Sequence, residues 1–294
     1  MSNRIPDGKL VGIMKAEGLR VKPHPGWEDW DRDHVGGFGP NGAIVHHTGS
    51  DAQGENYVRN ILRSGYAGLP GPLCHVGIAM DGTVHLVSNG RANHAGGGDP
   101  KVLDAVVAES AWLMEREAKP TKGNTSIGKT DGNARFYGAE VMYDGGQAMT
   151  PEAEDAVVRW CAAICRYYGW SARSVIGHRE WSRDKIDPGR ESMVDLRRKV
   201  QARLDTPLGV TVEAKTVQKS GALKPFAVSS LRTSMLTGKY NHGELFRSWL
   251  DLPSRKGKPF NASERAVVKK RLGFYVPTVK NMGKLARDNG YEVY

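Results

Sequence analysis

The chain has 294 residues, 25% of them charged and 39% hydrophobic, the balance of a folded globular protein and too apolar for a disordered one. No run approaches the roughly 18 uninterrupted apolar residues of a membrane span, and the first residues are too broken by charge and glycine for a secretory signal. Three cysteines without a CxxC pair exclude a disulfide scaffold and a zinc knuckle. The expectation is a soluble protein made in a reducing cytoplasm, with no membrane insertion and no export route of its own.

The net charge of +10 is unevenly placed. Residues 206–294 carry 16 Lys and Arg against 6 Asp and Glu, whereas residues 1–205 carry 26 of each. This asymmetry predicts two modules, a neutral one and a basic one that meets something anionic. The plainer alternative is a basic surface that only keeps the protein soluble.

In chain order, residues 1–40 read as an irregular N-terminal extension, rich in Gly and Pro towards its end. Ala43–His47 is a short apolar run that reads as a buried strand. Glu55–Ser64 looks helical. Leu73–Met80 and Thr83–Val87 are apolar runs joined by Asp81-Gly82, a hairpin signal. Gly90–Pro100 is a glycine-rich loop, Pro100–Glu117 a helix, Lys119–Ala134 a long polar loop and Tyr137–Tyr143 a further strand. Thr150 then caps a helix with Pro151 in first position and Glu152, Glu154 and Asp155 in the first turn. Its apolar residues, from Ala153 through Trp160, Cys161 and Cys165 to Tyr168, recur at i, i+3 and i+4. Ser174–Gly177 is a short strand and Glu191–Leu204 a closing helix. Together these elements predict an α/β domain, a mixed central sheet flanked by helices, over residues 1–205. The sequence DTPLG ends it at 205–209. Residues 206–223 read as a linker, and 224–294 as a small basic, mainly helical domain whose clearest helix, Ser263–Leu272, stops at Gly273.

Several residues could carry chemistry. His46 lies in a strand that should be buried, where an imidazole needs a partner; alone it is more often a hydrogen-bonded core residue than a ligand. His47 alternates to the other sheet face, so at most one of the two serves a given site. His178 follows the apolar run Val175–Gly177, where a strand releases its chain at a sheet edge. Lys185 and Asp187 are two apart, and Pro188 biases Asp187 towards extended backbone, so both point the same way. A surface ion pair is the simple alternative for them. Glu140 sits in an apolar strand, costly unless paired or functional, and burial would raise its pKa towards that of a useful base; a half-exposed edge strand is the other reading. Two histidines and an aspartate make a reasonable catalytic zinc set, three ligands leaving a fourth position for water. Cys161 and Cys165 lie on the buried stripe of their helix and read as core.

The segments VHHTGS, LCHVGIAMDGTVHLV, GRANHAG, YGAEVMYDG and GHREWSRDKIDPG occur in the order found in N-acetylmuramoyl-L-alanine amidases. Over roughly residues 25–204 the chain resembles this family, which shares a superfamily with peptidoglycan recognition proteins. The likeness is most specific at VHHT and at GHRE followed by KxDPG. It implies the amidase fold, a zinc cofactor held by His46, His178 and Asp187, and catalytic roles for Glu140 and Lys185. Cys74 stands where other relatives carry a catalytic tyrosine, which fits a glutamate-dependent mechanism. His94, in a loop that lines the substrate groove of relatives, is expected to contact substrate, as are Asn93 and His47.

The implied reaction is hydrolysis, by a zinc-activated water, of the amide between N-acetylmuramic acid and L-alanine of peptidoglycan. Glu140 would shuttle the proton, and Lys185 would stabilise the oxyanion with the metal. A catalytic domain, a basic C-terminal module and no signal peptide together resemble a bacteriophage endolysin, in particular those of actinobacteriophages, made in the host cytoplasm and released through a holin. The basic module is expected to attach to anionic wall polymers. Two other readings stay open. One is a non-catalytic peptidoglycan-binding protein on the same scaffold, against which the complete His46/His178/Asp187 set argues. The other is a nucleic-acid-binding C-terminal module, which the charge permits but no recognisable motif supports.

Overall fold

The computed structural model describes residues 3–208. Nearly all of the expected linker, the basic module 224–294 and its Ser263–Leu272 helix lie outside the described residues.

The order of the main elements is α1 (Asp7–Ala16), β1 (Arg20–Pro23), β2 (Gly42–His47), β3 (Val76–Ile78), β4 (Thr83–Leu86), α2 (Pro100–Val107), β5 (Phe136–Val141), α3 (Pro151–Tyr168), β6 (Val175–Gly177), α4 (His178–Trp181) and α5 (Met193–Leu204). The six strands form one sheet in the order β1-β4-β3-β5-β2-β6. Only β3 and β4 run antiparallel, joined at Asp81-Gly82; every other neighbouring pair is parallel. The expected mixed sheet flanked by helices is therefore present. Gly82 takes a φ of +81°, and a Cβ there would lie 2.8 Å from the Glu152 carbonyl oxygen, so this turn needs a glycine.

β2 is an inner strand covered on both faces, which is why its sequence is a continuous apolar run rather than an alternation. Ala43 and Val45 pack with Tyr137, Ala139 and Val141 against the stripe of α3. Ile44 packs on the opposite face with Phe136, Ile176 and Trp181. Alternation then puts His46 on the face of Ile44, and Glu140 on the face of Phe136. Cys161 and Cys165 are fully buried in the α3 core, as their position on the stripe predicts.

α3 begins where expected. The Thr150 hydroxyl accepts the Ala153 N–H at 3.2 Å, and Gly169 closes the helix in the left-handed conformation. Thr150→Ala is expected to cost about 1 kcal/mol, read as a lower urea midpoint with an unchanged slope.

Three boundaries differ from the sequence reading. Residues 1–40 are not irregular: they contain α1, which buries Leu10 and Met14, and β1, an edge strand that is mostly exposed. The expected helix at 100–117 ends at Val107. Glu109 there turns to positive φ, and its carboxylate accepts the Ser171 N–H and the Ser174 hydroxyl, a tertiary contact that overrides helix propensity. The last helix starts at Met193 because Ser192 is its cap, while the Glu191 carboxylate is used by the Met149 N–H.

α4 and α5 are tied by a fully buried ion pair. The Glu180 carboxylate accepts two N–H groups of Arg197 at 2.8 and 3.0 Å, and also the backbone N–H groups of Ala118 and Gly177. A buried carboxylate is tolerated when its lone pairs are filled in this way. Because Gly177 directly precedes His178, the pair also fixes where β6 delivers that histidine.

Candidate active site

β2 and β6 are neighbours with Val45 opposite Gly177, so the next residues, His46 and His178, emerge side by side. Asp187 reaches them from the loop after α4. That loop is held by Arg179, whose backbone N–H donates to the Asp187 carbonyl at 2.9 Å. The Arg179 side chain donates to the carbonyls of Gly189 and Glu191 and to both oxygens of Glu117. His46 Nδ1, His178 Nδ1 and Asp187 Oδ2 form a buried triangle with all three sides 2.9 Å.

The other ring nitrogens decide what the triangle can hold. His178 Nε2 is 3.1 Å from the Ala95 carbonyl oxygen. His46 Nε2 is 3.0 Å from His94 Nδ1, and His94 Nε2 is 3.0 Å from the Phe136 carbonyl oxygen. A carbonyl only accepts, so His94 and His178 carry their hydrogens on Nε2. His94 Nδ1 then accepts from His46 Nε2–H, and these tautomers follow from the network. Both Nδ1 atoms are left as bare lone pairs. Burial and the neighbouring His178 pull the His46 pKa down to about 4, so His46 is neutral at pH 7.

Three acceptors thus converge with no donor among them, an arrangement that repels itself unless a cation sits on it. Two imidazoles and one carboxylate are zinc-type ligands. The 2.9 Å sides are slightly tighter than the ~3.3 Å edge that bond lengths of about 2.0–2.1 Å imply for a tetrahedral site. The donor set fits zinc.

Glu140 on β5 is in register with His46 on β2, which brings both side chains to one face of the sheet. Its Oε2 is buried without a hydrogen-bond partner. Burial and the Asp187 charge raise its pKa well above the ordinary value, opposed by the Lys185 cation. The Lys185 charge is felt at His46 as well as at Glu140. Gly138, two residues earlier on the same face, leaves the room that His94 occupies: a Cβ there would lie 2.4 Å from His94 Nδ1. His46, His178 and Asp187, separated by up to 141 positions, therefore meet beside the strand that carries Glu140, and Lys185 lies two residues before Asp187.

The model of the N-acetylmuramoyl-L-alanine amidase family matches residues 37–190, which contain all five of these residues and more than half of the chain. The chain belongs to that family.

No curated protein matches this amidase. Solved structures similar to it include the endolysin amidase LysCS from Clostridium intestinale, at 17% identity and a TM-score of 0.40, with 64% of this chain and 96% of that one covered. The hydrolase AmiA of Staphylococcus aureus gives 13% identity and a TM-score of 0.41 over 69% of this chain and 95% of its own. The endolysin of a Thermus scotoductus bacteriophage gives 15% identity and a TM-score of 0.36 over 62% and 99%. Among the described residues of the amidase, no helix is long and apolar enough to cross a membrane.

The remaining expected site residues fall differently. His94 is not a free substrate contact, because both ring nitrogens are engaged inside the protein. His47 lies apart from the triangle: its Nδ1 accepts the Gly49 N–H at 3.0 Å, its ring is 5.6 Å from Tyr143, and its Nε2 is buried without a partner. Asn93 is turned to Pro70, donating to that carbonyl at 2.7 Å. Cys74 is fully buried among Val58, Leu62, Ala79, Val87 and Met142, and burial pushes its thiol pKa up, as suits a packing residue.

Two contributors have no role in the sequence reading: Arg179, which lies within GHRE and clamps the Asp187 loop, and Asn133, which accepts three N–H groups of residues 94–96. Among the described residues a second group, His24, Glu55 and His85, also brings three donor atoms within 4.8 Å of one another. Glu55 is salt-bridged to Lys22, and Arg63 and Arg59 add positive charge around His24, so this group is a poor cation site.

Proposed function

We propose that this amidase is a zinc-dependent endolysin that cleaves the bond between N-acetylmuramic acid and the L-alanine of peptidoglycan. The observation that carries the reading is the triangle of three acceptors on the sheet face shared with half-buried Glu140, whose Oε2 is buried without a partner. His46, His178 and Asp187 would hold the metal, which when bound supplies a Lewis acid that makes water nucleophilic near neutral pH.

Glu140 is the proposed general base, a reading supported by its register with His46 and by a pKa raised through burial and the Asp187 charge. It takes the proton of the attacking water and returns it to the amide nitrogen as the C–N bond breaks. Lys185 supplies positive charge where the carbonyl oxygen becomes negative. His47 and Asn93 are the proposed substrate contacts outside this centre.

Residues 1–205 would do the cutting, joined through residues 206–223 to a basic module, 224–294, that attaches to anionic wall polymers. Synthesis in a host cytoplasm and release through a holin complete the proposal.

Digestion of purified peptidoglycan followed by analysis of the new ends tests it. New N-terminal L-alanine is expected, with one zinc per chain by metal analysis. New reducing sugar would make the protein a glycosidase, and no new ends a binding protein.

The wall-anchoring role has a separate test. Exposed charges are screened over about 8 Å at physiological salt. Binding of the whole chain to purified walls is therefore expected to weaken as salt rises from about 50 to 300 mM. Salt-independent binding would refute attachment by charge.

A further inference from the structure

One loop touches the back of both histidines, and one side chain holds that loop. The Asn133 carbonyl oxygen accepts the backbone N–H groups of His94, Ala95 and Gly96 at 2.9, 2.8 and 3.1 Å. Three donors converging on one atom require that atom to be the oxygen of the amide. Around it the loop is tied to the same segment twice more. Gly132 N–H donates to the Gly96 carbonyl at 2.8 Å, and Gly97–Gly98 pairs with Thr130–Asp131.

The two residues so pinned are the ones that orient the triangle. The His94 ring accepts from His46 Nε2–H, and the Ala95 carbonyl accepts from His178 Nε2–H. Neither acceptor belongs to the triangle, and both sit on consecutive residues. A shift of this loop would remove both acceptors together. Each imidazole could then place its hydrogen on Nδ1, which points an N–H at the place where a lone pair is needed. Asn133 itself lies three residues before β5, the strand that carries Glu140, so the segment that orders both histidines also leads into the base.

We propose that Asn133 is a positioning residue of the amidase centre: through the 94–96 loop it fixes which nitrogen His46 and His178 present to the metal. The proposal rests on the zinc reading above. Outer partners of this kind are worth roughly 10–100-fold in metal affinity.

The experiment compares zinc affinity, by competition with a chromophoric chelator, in the parent, Asn133→Ala and Asn133→Asp. Melting temperatures of the metal-free proteins are measured alongside. Asn133→Ala removes the acceptor and is expected to weaken zinc roughly 10–100-fold in protein that is still folded. Asn133→Asp keeps an oxygen acceptor and is expected to stay within about threefold of the parent, since the three N–H bonds survive. A residue that merely tied down a loop would lower the melting temperature and leave the zinc affinity of the folded protein unchanged; that result would overturn the proposal, as would equal weakening in both variants. Should Asn133→Ala not fold, nitrogen NMR of the histidine rings in the parent decides. His46, His94 and His178 are expected to carry hydrogen on Nε2, and hydrogen on Nδ1 of His46 or His178 would overturn the proposal. The rings are read with and without added zinc, so a parent that binds no zinc would strike the metal reading and leave the tautomer test standing.

Discussion

Glu140→Gln is expected to lower kcat on soluble muropeptides by roughly 100-fold or more, the usual contribution of a positioned acid–base group. The swap preserves shape and removes only the site that takes the proton. Because Oε2 has no hydrogen-bond partner in the protein, no existing bond is broken by the amide. Zinc content should be unchanged. Stability should be equal or slightly higher at pH 7. A carboxyl whose folded pKa is raised makes the protein less stable as pH climbs through the window between its ordinary and folded values, and the neutral amide removes that loss.

The pH profile gives a second check on the same group. Glu140 acts as a base only when ionised, so activity falls as pH falls through its folded pKa. Burial and the Asp187 charge push Glu140 above the ordinary 4.5 in the metal-free protein, while Lys185 pulls it back and a bound cation lowers the limb further. Lys185→Met should therefore move the acidic limb further up, besides lowering the rate. Near-normal turnover in Glu140→Gln would show that another group is the base.

What could be read in advance depended on how local the signal was. The α3 stripe, its Thr150 cap and the Asp81-Gly82 turn are each specified within a few residues, and all three are where local chemistry puts them. α1 was hidden because its sequence, DGKLVGIMKA, contains two glycines. β1 was hidden because RVKP, on the sheet edge, has little to bury. The sequence of 100–117 does not show where its helix ends, because the contact that ends it runs from Glu109 to residues 171 and 174, more than sixty positions away.

The same limit applies at the centre. Strand alternation could say that His46 and His47 part company, and an apolar context could mark Glu140 as odd. Nothing local could say that His178 and Asp187 close on His46; that came from the order of motifs shared with a family. For His94 the resemblance suggested the groove, whereas its two hydrogen bonds turn it inward, behind His46. Asn133 had no pattern to betray it, since its function is to collect backbone N–H groups from a loop some forty positions earlier.

Removing a member of the triangle should have the largest effect. In His46→Ala and His178→Ala, zinc is expected to fall to near background, and activity with it by about 1,000-fold or more, since a bound metal supplies several kcal/mol of charge stabilisation in the transition state. Loss of folding is not expected to be the cause. Neither ring belongs to the hydrophobic core clusters that hold the sheet and helices together, so the metal-free variants should melt close to the metal-free parent. The difference appears on adding zinc. A ligand that binds only the folded state adds about 2.7 kcal/mol at 100 times its Kd, so the parent's melting temperature should climb with zinc while those of the two variants stay still. Asp187→Asn, which keeps the shape but removes the charge, should fall between them, with zinc weakened rather than lost. A full equivalent of zinc retained in both histidine variants would mean that the metal is held elsewhere, and the assignment of His46, His178 and Asp187 would fall.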